Sequence, residues 1–336
     1  MKYYLLEITD ENGNTPVDGE GNPIGPFDTS KTPGAGLQLE FDALITGYDV
    51  VSSGTSIALY GVPISMLRES ANLVGYQLSL TAGFISGLPL ANPDQQGLII
   101  QGVIFNPYGN WMGTHQSLNL IVNPSAVLND KGQEIAITID GKKGDLFSDV
   151  LMRALKSAYP KFQIEISISD KLVLQEDGKG VYPRLAQLAA SMRSQSYAVI
   201  NNQSYSGVQM VMQGNTIRVF DNTGGKGNAI KILPHELIGQ PTWIGINTIS
   251  FKCPLRSDLR LADEVELPAN IISGPGELLA VNSERSYSSM RDKVSFSGKF
   301  QINSVRHVGD YLSADNSNSW VTIYEALVLP EGLKSE

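Results

Sequence analysis

The sequence predicts an α+β fold that is mostly β, with two β domains on either side of a small α+β domain. Both ends of the chain are rich in short β-type runs bounded by glycine and proline, and only the middle carries helical periodicity. The 336 residues suffice for several cores, since single cores stop growing near ~250–300 residues. The predicted domains are 1–127, 128–228 and 229–336.

The first domain is predicted to be all β. Leu37, Leu39 and Phe41 alternate with Gln38 and Glu40, as a half-buried strand requires. Glycine and proline separate this run from others of similar length. The predicted strands are Tyr3–Thr9, Leu37–Phe41, Ser56–Tyr60, Tyr76–Thr81, Leu98–Phe105 and Ser117–Val122.

The middle domain combines two helices with strands. Apolar residues recur at helical spacing in Leu146–Ala158, before Pro160, and again in Leu185–Met192. A strand is predicted at Gln163–Ile168, and a hairpin turn at Gly214-Asn215. This segment therefore reads as a small α+β domain.

The last domain returns to β structure after a glycine-rich segment, 223–228, which is predicted to be a flexible connector. A polar stretch at Asn270–Lys293 reads as a surface loop inside this domain. The predicted strands are Thr248–Lys252, Glu264–Leu267, Lys299–Arg306 and Trp320–Leu327.

A weak internal repeat links the two β domains. Each copy has a Leu-Arg pair, a later leucine, a short strand, a long strand that starts at glycine, and a returning strand. In the first copy these are Leu67-Arg68, Leu73, 77–80, 97–109 and 117–122. In the second they are Leu255-Arg256, Leu261, 265–267, 298–309 and 320–327. The repeat predicts that the two β domains share a topology.

Composition excludes several functional classes. The net charge of −9 and pI near 4.9 give no basic surface for gripping nucleic acid. Cys253 is the single cysteine, so no intramolecular disulfide forms, and the three histidines lack zinc-ligand spacing. Glu7 interrupts any signal-peptide core, and no apolar run reaches the ~20 residues of a membrane span. We expect synthesis in the cytoplasm, without export by the usual signal.

Two loop motifs resemble ligand-binding signatures without meeting them. Asp10–Asn14 begins like a calcium loop, but Thr15 and Gly21 stand where glycine and glutamate are needed, so a β-turn is predicted. Residues 224–227 lack the Walker spacing of a phosphate-binding loop.

The candidate catalytic groups also favour structural roles. Cys253 and His235 could be a nucleophile and base, but Cys253 lies at a strand end with no element that activates a thiolate. Carboxylate pairs for glycoside hydrolysis could come from Asp258, Asp263, Glu264 and Glu266, and the last two share one strand face that is typical of solvent exposure.

Three tryptophans, Trp111, Trp243 and Trp320, could stack on sugars, but core packing is the commoner use in strands and turns. We therefore predict no catalytic, cofactor-binding or metal-binding residues, and no enzyme activity.

Two stretches of the sequence resemble the baseplate hub proteins of phage tails, the family of the gene 27 product of T-even phages. One runs from Gly87 through the segment 97–99 to Thr114. The other runs from Pro254 through 263–268 and 300–310, and ends in the Ser-Trp-Val-Thr stretch at 319–322. Together with the domain order, the resemblance covers nearly the whole chain.

The resemblance implies a homotrimer in which each subunit supplies two tube-like β-barrel domains, so that three chains form a pseudo-sixfold ring. Such a hub joins the hexameric tail tube to the trimeric central spike and contacts other baseplate proteins in the virion. DNA would pass through its channel without specific binding. Since no β-helical repeats follow the hub region, the spike is expected to be a separate chain. The alternatives are a tail-associated carbohydrate-binding or adhesion protein and a peptidoglycan hydrolase.

Overall fold

The structure is a computed structural model. It describes residues 1–32, 36–47, 55–85, 92–123, 135–202, 205–223, 229–245, 247–268, 298–315 and 317–329. Two predicted features therefore lie wholly or mainly outside the described residues, the connector at 223–228 and the loop at 270–293, as do the first five residues, 87–91, of the stretch that begins at Gly87.

Strands dominate the element order. They are β1 Lys2–Thr9, β2 Phe27–Asp28, β3 Leu39–Ile45, β4 Thr55–Tyr60, β5 Gln77–Phe84, β6 Gly97–Met112, β7 His115–Asn123, β8 Ile137–Gly141, β9 Gln163–Ser167, β10 Gly178–Tyr182, β11 Gln209–Gln213, β12 Thr216–Phe220, β13 Ile230–Lys231, β14 Thr242–Trp243, β15 Thr248–Pro254, β16 Glu264–Leu267, β17 Gly298–Asp310 and β18 Trp320–Val328. The α-helices are α1 Ile64–Arg68, α2 Phe147–Ala158 and α3 Leu185–Val199, and short 3-10 helices cover Ser70–Leu73, Pro93–Gln95 and Pro234–Glu236.

The two β units share the order and the antiparallel pairing of five strands, which confirms the predicted repeat over these strands. The first β unit (β1–β7 with α1) has neighbouring strands in the order β3-β4-β7-β6-β5-β1-β2. The second β unit (β13–β18) has the corresponding order β14-β15-β18-β17-β16-β13. Pairing is antiparallel throughout except between β13 and β16, which run parallel.

A strand pair between the units makes them one sheet. β17 of the second unit pairs with β3 of the first over residues 305–310 and 40–45. The other end of β17, at residues 298–301, pairs with β16 on the same edge. The predicted pair of separate, closed barrels is not found among the described residues, because β17 continues the sheet into β3 and the strand order stays open.

The middle domain (β8–β12, α2 and α3) contains a three-stranded sheet, β11-β12-β9, and a two-stranded sheet, β8-β10. Both helices pack their apolar faces inward: α2 buries Val150 and Leu151, and α3 buries Leu188 and Met192. The hairpin turn predicted at 214–215 joins β11 to β12, as expected.

Three hydrophobic clusters correspond to the two β units and the middle domain. At their borders, a few side chains from one part of the chain pack in the cluster of another. Leu255, Tyr311 and Trp320, from the C-terminal third of the chain, lie in the core of the first β unit. Val211 and Phe220 of the middle domain lie in the core of the second β unit. The predicted boundaries at 127/128 and 228/229 stay predictions, because residues 124–134 and 224–228 lie outside the described part of the chain.

Candidate functional site

The junction between the two β units is the most distinctive site of the fold. β17 and β3 run antiparallel, with Val308 opposite Asp42 and Gly309 opposite Phe41. A Cβ at Gly309 would overlap the ring of Phe41, so glycine permits this close approach. Arg306 makes a two-pronged ion pair with Asp42 across the strands, with Nε 2.8 Å from Oδ1. Both side chains are about half exposed, so the pair aligns the strands more than it stabilises them.

Trp320, the first residue of β18, anchors the second β unit in the core of the first. Its side chain is buried, packs edge-on against Phe41 at 5.3 Å between ring centroids, and lies 6.0 Å from the ring of Tyr311. The indole N–H donates a 3.0 Å hydrogen bond to the carbonyl of Gly83 in β5. Lys2 reaches the same place and donates to the Ser319 hydroxyl at 2.7 Å. One side chain therefore holds strands of both units together.

A buried arginine lies beside this junction. Arg256 is 3% exposed and makes two hydrogen bonds to Asp258, at 2.7 and 2.6 Å, and a third to Glu236 at 3.2 Å. Glu236 also accepts from Gln95 of the first β unit, and the Ser257 N–H donates to the Gln95 carbonyl at 2.9 Å. The ion pairs raise the pKa of Arg256, so its charge is permanent. The network connects the β units on a second side.

His307 lies inside the junction and is fully buried. It faces Ala43 across the β17·β3 pair, and its Nδ1 is 3.0 Å from the hydroxyl of Thr322. Burial lowers the pKa of His307 to about 4, because the imidazolium would lose its hydration. The neutral ring is therefore the form compatible with the closed junction at neutral pH.

A groove of about 600 Å³ crosses the outer face of the junction, between β17, β3, β4 and β7. Its charged lining residues are all acidic: Glu40, Asp42, Asp310 and Asp315. Hydrogen bonds from the Ser317 N–H and the Asn318 side chain lower the pKa of Asp315, which is therefore ionised at neutral pH. Three cations lie beside these carboxylates: Arg306 pairs with Asp42, Lys2 donates to the carbonyls of Asp310 and Ser313, and Lys252 donates to the Asn318 side chain.

The hairpin of β6 and β7 carries exposed apolar side chains beyond the core of the first β unit. Tyr108, Trp111 and Met112 are 46%, 62% and 68% exposed, and we call them the hairpin patch. The expectation that all three tryptophans pack in cores is wrong for Trp111, because its strand extends past the sheet neighbours that would cover it. It holds for Trp320, and Trp243 packs partly against the second core.

The candidate nucleophile and base do not form a site. Cys253 is fully buried, and burial raises the pKa of its thiol to about 12, which keeps it protonated. His235 is exposed in a 3-10 helix. This geometry matches the structural role predicted for the cysteine.

The candidate carboxylates serve ion pairs rather than a catalytic pair. Asp258 binds Arg256, and Asp263 binds Arg218 of the middle domain at 2.9 Å. Glu264 and Glu266 are half-buried on one face of β16, the face opposite the core, as the alternation predicted.

The calcium-like loop is a turn. The Asp10 carboxylate accepts hydrogen bonds from the N–H groups of Asn12 and Asn14, and Gly13 donates to the Asp10 carbonyl. Within the described part of the chain, no three His, Cys, Asp or Glu side chains gather as metal ligands.

Among the described residues, no helix has the length and apolar character needed to cross a membrane. No protein-family model matches the chain, and no curated protein matches it.

Several solved structures are similar to the chain. One is an Escherichia coli type VI secretion component, described as similar to the T4 phage tail proteins gp27 and gp5, with 10% identity, TM-score 0.49, and coverage of 98% of this chain and 78% of the other. A tail protein from Neisseria meningitidis has 8% identity and a TM-score of 0.47, and the match covers 97% of this chain and 96% of the other. A 43 kDa tail protein of prophage MuSo2 from Shewanella oneidensis has 9% identity and a TM-score of 0.45, and the match covers 98% of each chain.

The fold defines the chain as an internally duplicated β protein with an α+β domain between its repeats. The similar structures are two tail proteins and a secretion component that is described as similar to phage tail proteins. Identities of 7–10% and TM-scores under 0.5 say nothing about which residues act.

Proposed function

We propose that the chain is a non-enzymatic hub subunit of a phage-type tail. Three copies form a ring that joins a sixfold tail tube to a threefold central spike in the virion baseplate, and the ring encloses part of the channel for genome ejection. Other baseplate proteins pack around it.

The observation that carries this proposal is the duplicated sheet. Each chain offers two units of the same strand order, side by side in one sheet. Three such chains offer six related surfaces to a sixfold partner, while the chain itself repeats only three times, as a trimeric spike requires. A single adaptor protein can therefore match two different symmetries.

The acidic groove supports a channel role. If the face that carries Glu40, Asp42, Asp310 and Asp315 lines the channel, passing DNA meets carboxylates. The neighbouring cations, Lys2, Lys252 and Arg306, are already engaged by protein groups. A basic wall would hold DNA through its phosphates by releasing counterions, whereas acidic side chains let it slide. With a Debye length of about 8 Å at physiological salt, the repulsion stays weak across a wide channel.

The non-enzymatic role is supported by the contacts that the candidate catalytic side chains make. The buried thiol is protonated, and Asp258 and Asp263 are held by arginines. A catalytic carboxyl group has to reach the substrate, whereas these two are engaged by the guanidinium groups of Arg256 and Arg218.

Light scattering combined with negative-stain images tests the assembly. We expect a particle of three times the 36.4 kDa chain mass, with threefold symmetry and a central channel. A protein that stays monomeric at high concentration overturns the proposal.

Two assays test the remaining parts. We expect no clearing in peptidoglycan zymograms and no glycosidase activity, and lysis that disappears on changing a single carboxylate would refute the non-enzyme role. We also expect no retention of duplex DNA at physiological salt. Tight, salt-sensitive DNA binding would refute the channel role of the acidic face.

A further inference from the structure

The two long strands β6 and β17 correspond residue by residue. Both carry a β-bulge at the same place, at Phe105 in β6 and at Asn303 in β17. The carbonyl just before each bulge accepts a hydrogen bond from a residue with positive φ, Gly75 in the first unit and Ala262 in the second. Positive φ is uncommon outside glycine, so its recurrence at this position fixes the alignment. Counted from the bulge, residues 107–112 of β6 match residues 305–310 of β17.

The matching segments differ in what covers them. Residues 305–310 of β17 have β18 on one edge and β3 on the other. Residues 107–112 of β6 have β7 on one edge, and no described strand pairs with the other. Helix α1 and the 3-10 helix at Ser70–Leu73 contact β6 near Gly109, so the part beyond Gly109 is the open part of this edge. The edge of β17 that pairs with β3 therefore has a counterpart on β6. No described strand pairs with that counterpart.

The uncovered segment carries the hairpin patch. Trp111 and Met112 expose 62% and 68% of their surface, and Tyr108 exposes 46%. The residues of β17 that match Trp111 and Met112 are Gly309 and Asp310, which pair with Phe41 and Glu40 of β3. Large apolar side chains at the end of an unpaired edge are typical of a surface that is covered in an assembly.

The strand that corresponds to β3 is β14. β3 pairs with β4 through Asp42 and Ser56, and β14 pairs with β15 through Thr242 and Ser250 at the matching position. β14 ends the sheet, since no described strand lies beyond it, and the neighbouring Ile244 is 52% exposed. Among the described residues, each chain thus has one acceptor strand, β6, and one donor strand, β14, that lack a strand partner on one edge and correspond to the strands that meet at its own junction.

We propose that the outer edge of β6 at residues 107–112 docks β14 of a second copy of this chain. The internal junction supplies the register: Val308 faces Asp42, so Asn110 faces Thr242 of the neighbouring copy. The contact is head to tail, and each copy contributes both surfaces. Only the number of copies in the ring rests on the proposed function.

Two groups limit the main-chain pairing at this contact. Pro107 has no N–H, and the N–H of Gly109 already donates to the Ser70 hydroxyl at 3.2 Å. The main-chain donors of this edge are therefore confined to Trp111 and beyond, whereas the carbonyls of Pro107 and Gly109 can still accept. The register places Trp111 opposite Pro241, which has no N–H of its own. Packing of the hairpin patch against the segment 240–244 supplies the rest of the contact.

Cysteine cross-linking tests the register. Asn110→Cys combined with Thr242→Cys should give disulfide-linked oligomers under mild oxidation, while each single variant should not. Six strands separate β6 from β14 along the sheet, so the two cysteines are not expected to meet within one chain. A disulfide within one chain would leave the mass on a non-reducing gel unchanged, which distinguishes it from linked oligomers. The native Cys253 is buried and protonated, so it does not compete.

The chain offers a matched control. Asp42→Cys with Val308→Cys places the same pair at the internal junction, where the disulfide should form within one chain and leave its mass unchanged. If light scattering shows trimers but the Asn110/Thr242 pair does not cross-link while the control does, the inference is overturned and the proposed function stands. Monomers in solution overturn both.

A charge placed in the hairpin patch gives an independent measurement. Trp111→Glu should weaken the assembly at least tenfold by light scattering at decreasing concentration, because a carboxylate would be buried against the neighbour. Val181→Glu, at a residue 65% exposed on the middle domain, should leave the assembly intact. Equal effects of the two changes, or none from Trp111→Glu, contradict the proposed surface.

Discussion

Acid should open the junction between the β units through His307. This histidine is fully buried in β17, where it pairs with Ala43 of β3 and contacts the Thr322 hydroxyl, and burial lowers its pKa from the ordinary 6.5 to about 4. The unfolded chain therefore binds a proton between those values while the folded chain does not. The contribution is fully present above pH 6.5 and is lost as the pH falls toward 4.

The size of the effect follows from the shift in pKa. A lowering of this extent corresponds to about 3 kcal/mol of unfolding free energy across the whole range, and to roughly 2 kcal/mol by pH 5. His307→Asn removes the titrating group and keeps a polar atom for Thr322. The variant should be less stable at neutral pH and should lose about 2 kcal/mol less than the parent between about pH 7 and pH 5.

Urea denaturation at fixed protein concentration measures this difference. His115→Asn is the matched control, because His115 is exposed at the start of β7, and it should follow the parent at both pH values. If His307→Asn loses as much stability on acidification as the parent, the buried histidine does not cause the acid sensitivity.

Three further changes probe the same region. Trp320→Ala should lower the unfolding free energy by about 3–5 kcal/mol in urea denaturation, and Trp320→Phe by about 1–3, because the Gly83 carbonyl loses its donor. Arg256→Met should cost about 3–5 kcal/mol, measured in the same way, because Asp258 and Glu236 would both lose the buried guanidinium that hydrogen-bonds them, and a neutral effect would contradict this. Cys253 should react with a thiol reagent only after urea unfolds the chain, and rapid labelling of the native protein would show that the burial is wrong.

Local sequence patterns predicted most of the strands and helices. The predicted strand Glu264–Leu267 is β16 without any change of bounds, and the helical run at 146–158 is α2 within one residue. Alternation and helical periodicity suffice here because each element buries one face against a nearby core.

The repeat was visible in sequence, but its alignment needed the structure. The sequence matches Gly109 to Gly309, whereas the strand register, counted from the two bulges, matches Gly109 to His307. Likewise, Leu67 lies in helix α1, while Leu255 follows a strand end. Bulges and insertions shift a repeat by a few residues and leave little trace in a single sequence.

The junction itself could not be predicted, because it joins distant parts of the chain. Asp42 and Arg306 are 264 residues apart, and neither lies in a sequence motif from which its ion-pair partner could be predicted. The buried charge of Arg256 was part of a recognised Leu-Arg pair, yet its depth depends on Gln95 and Glu236 from elsewhere in the chain. Such pairings are determined by topology, which composition and periodicity do not report.

The two kinds of contact proposed for the assembly differ in chemistry, and that difference carries specificity. Inside the chain, β17 meets β3 through a glycine, a buried histidine and an ion pair between Arg306 and Asp42. The uncovered edge of β6 has no acidic or basic residue in 107–112 and presents Tyr108, Trp111 and Met112 instead. If β3 of another chain approached this edge, Asp42 would be brought beside apolar side chains without its arginine, at a desolvation cost. The neutral Thr242 of β14 avoids that cost, so each acceptor strand favours its own donor, and the ring can close without exchange between internal and external contacts.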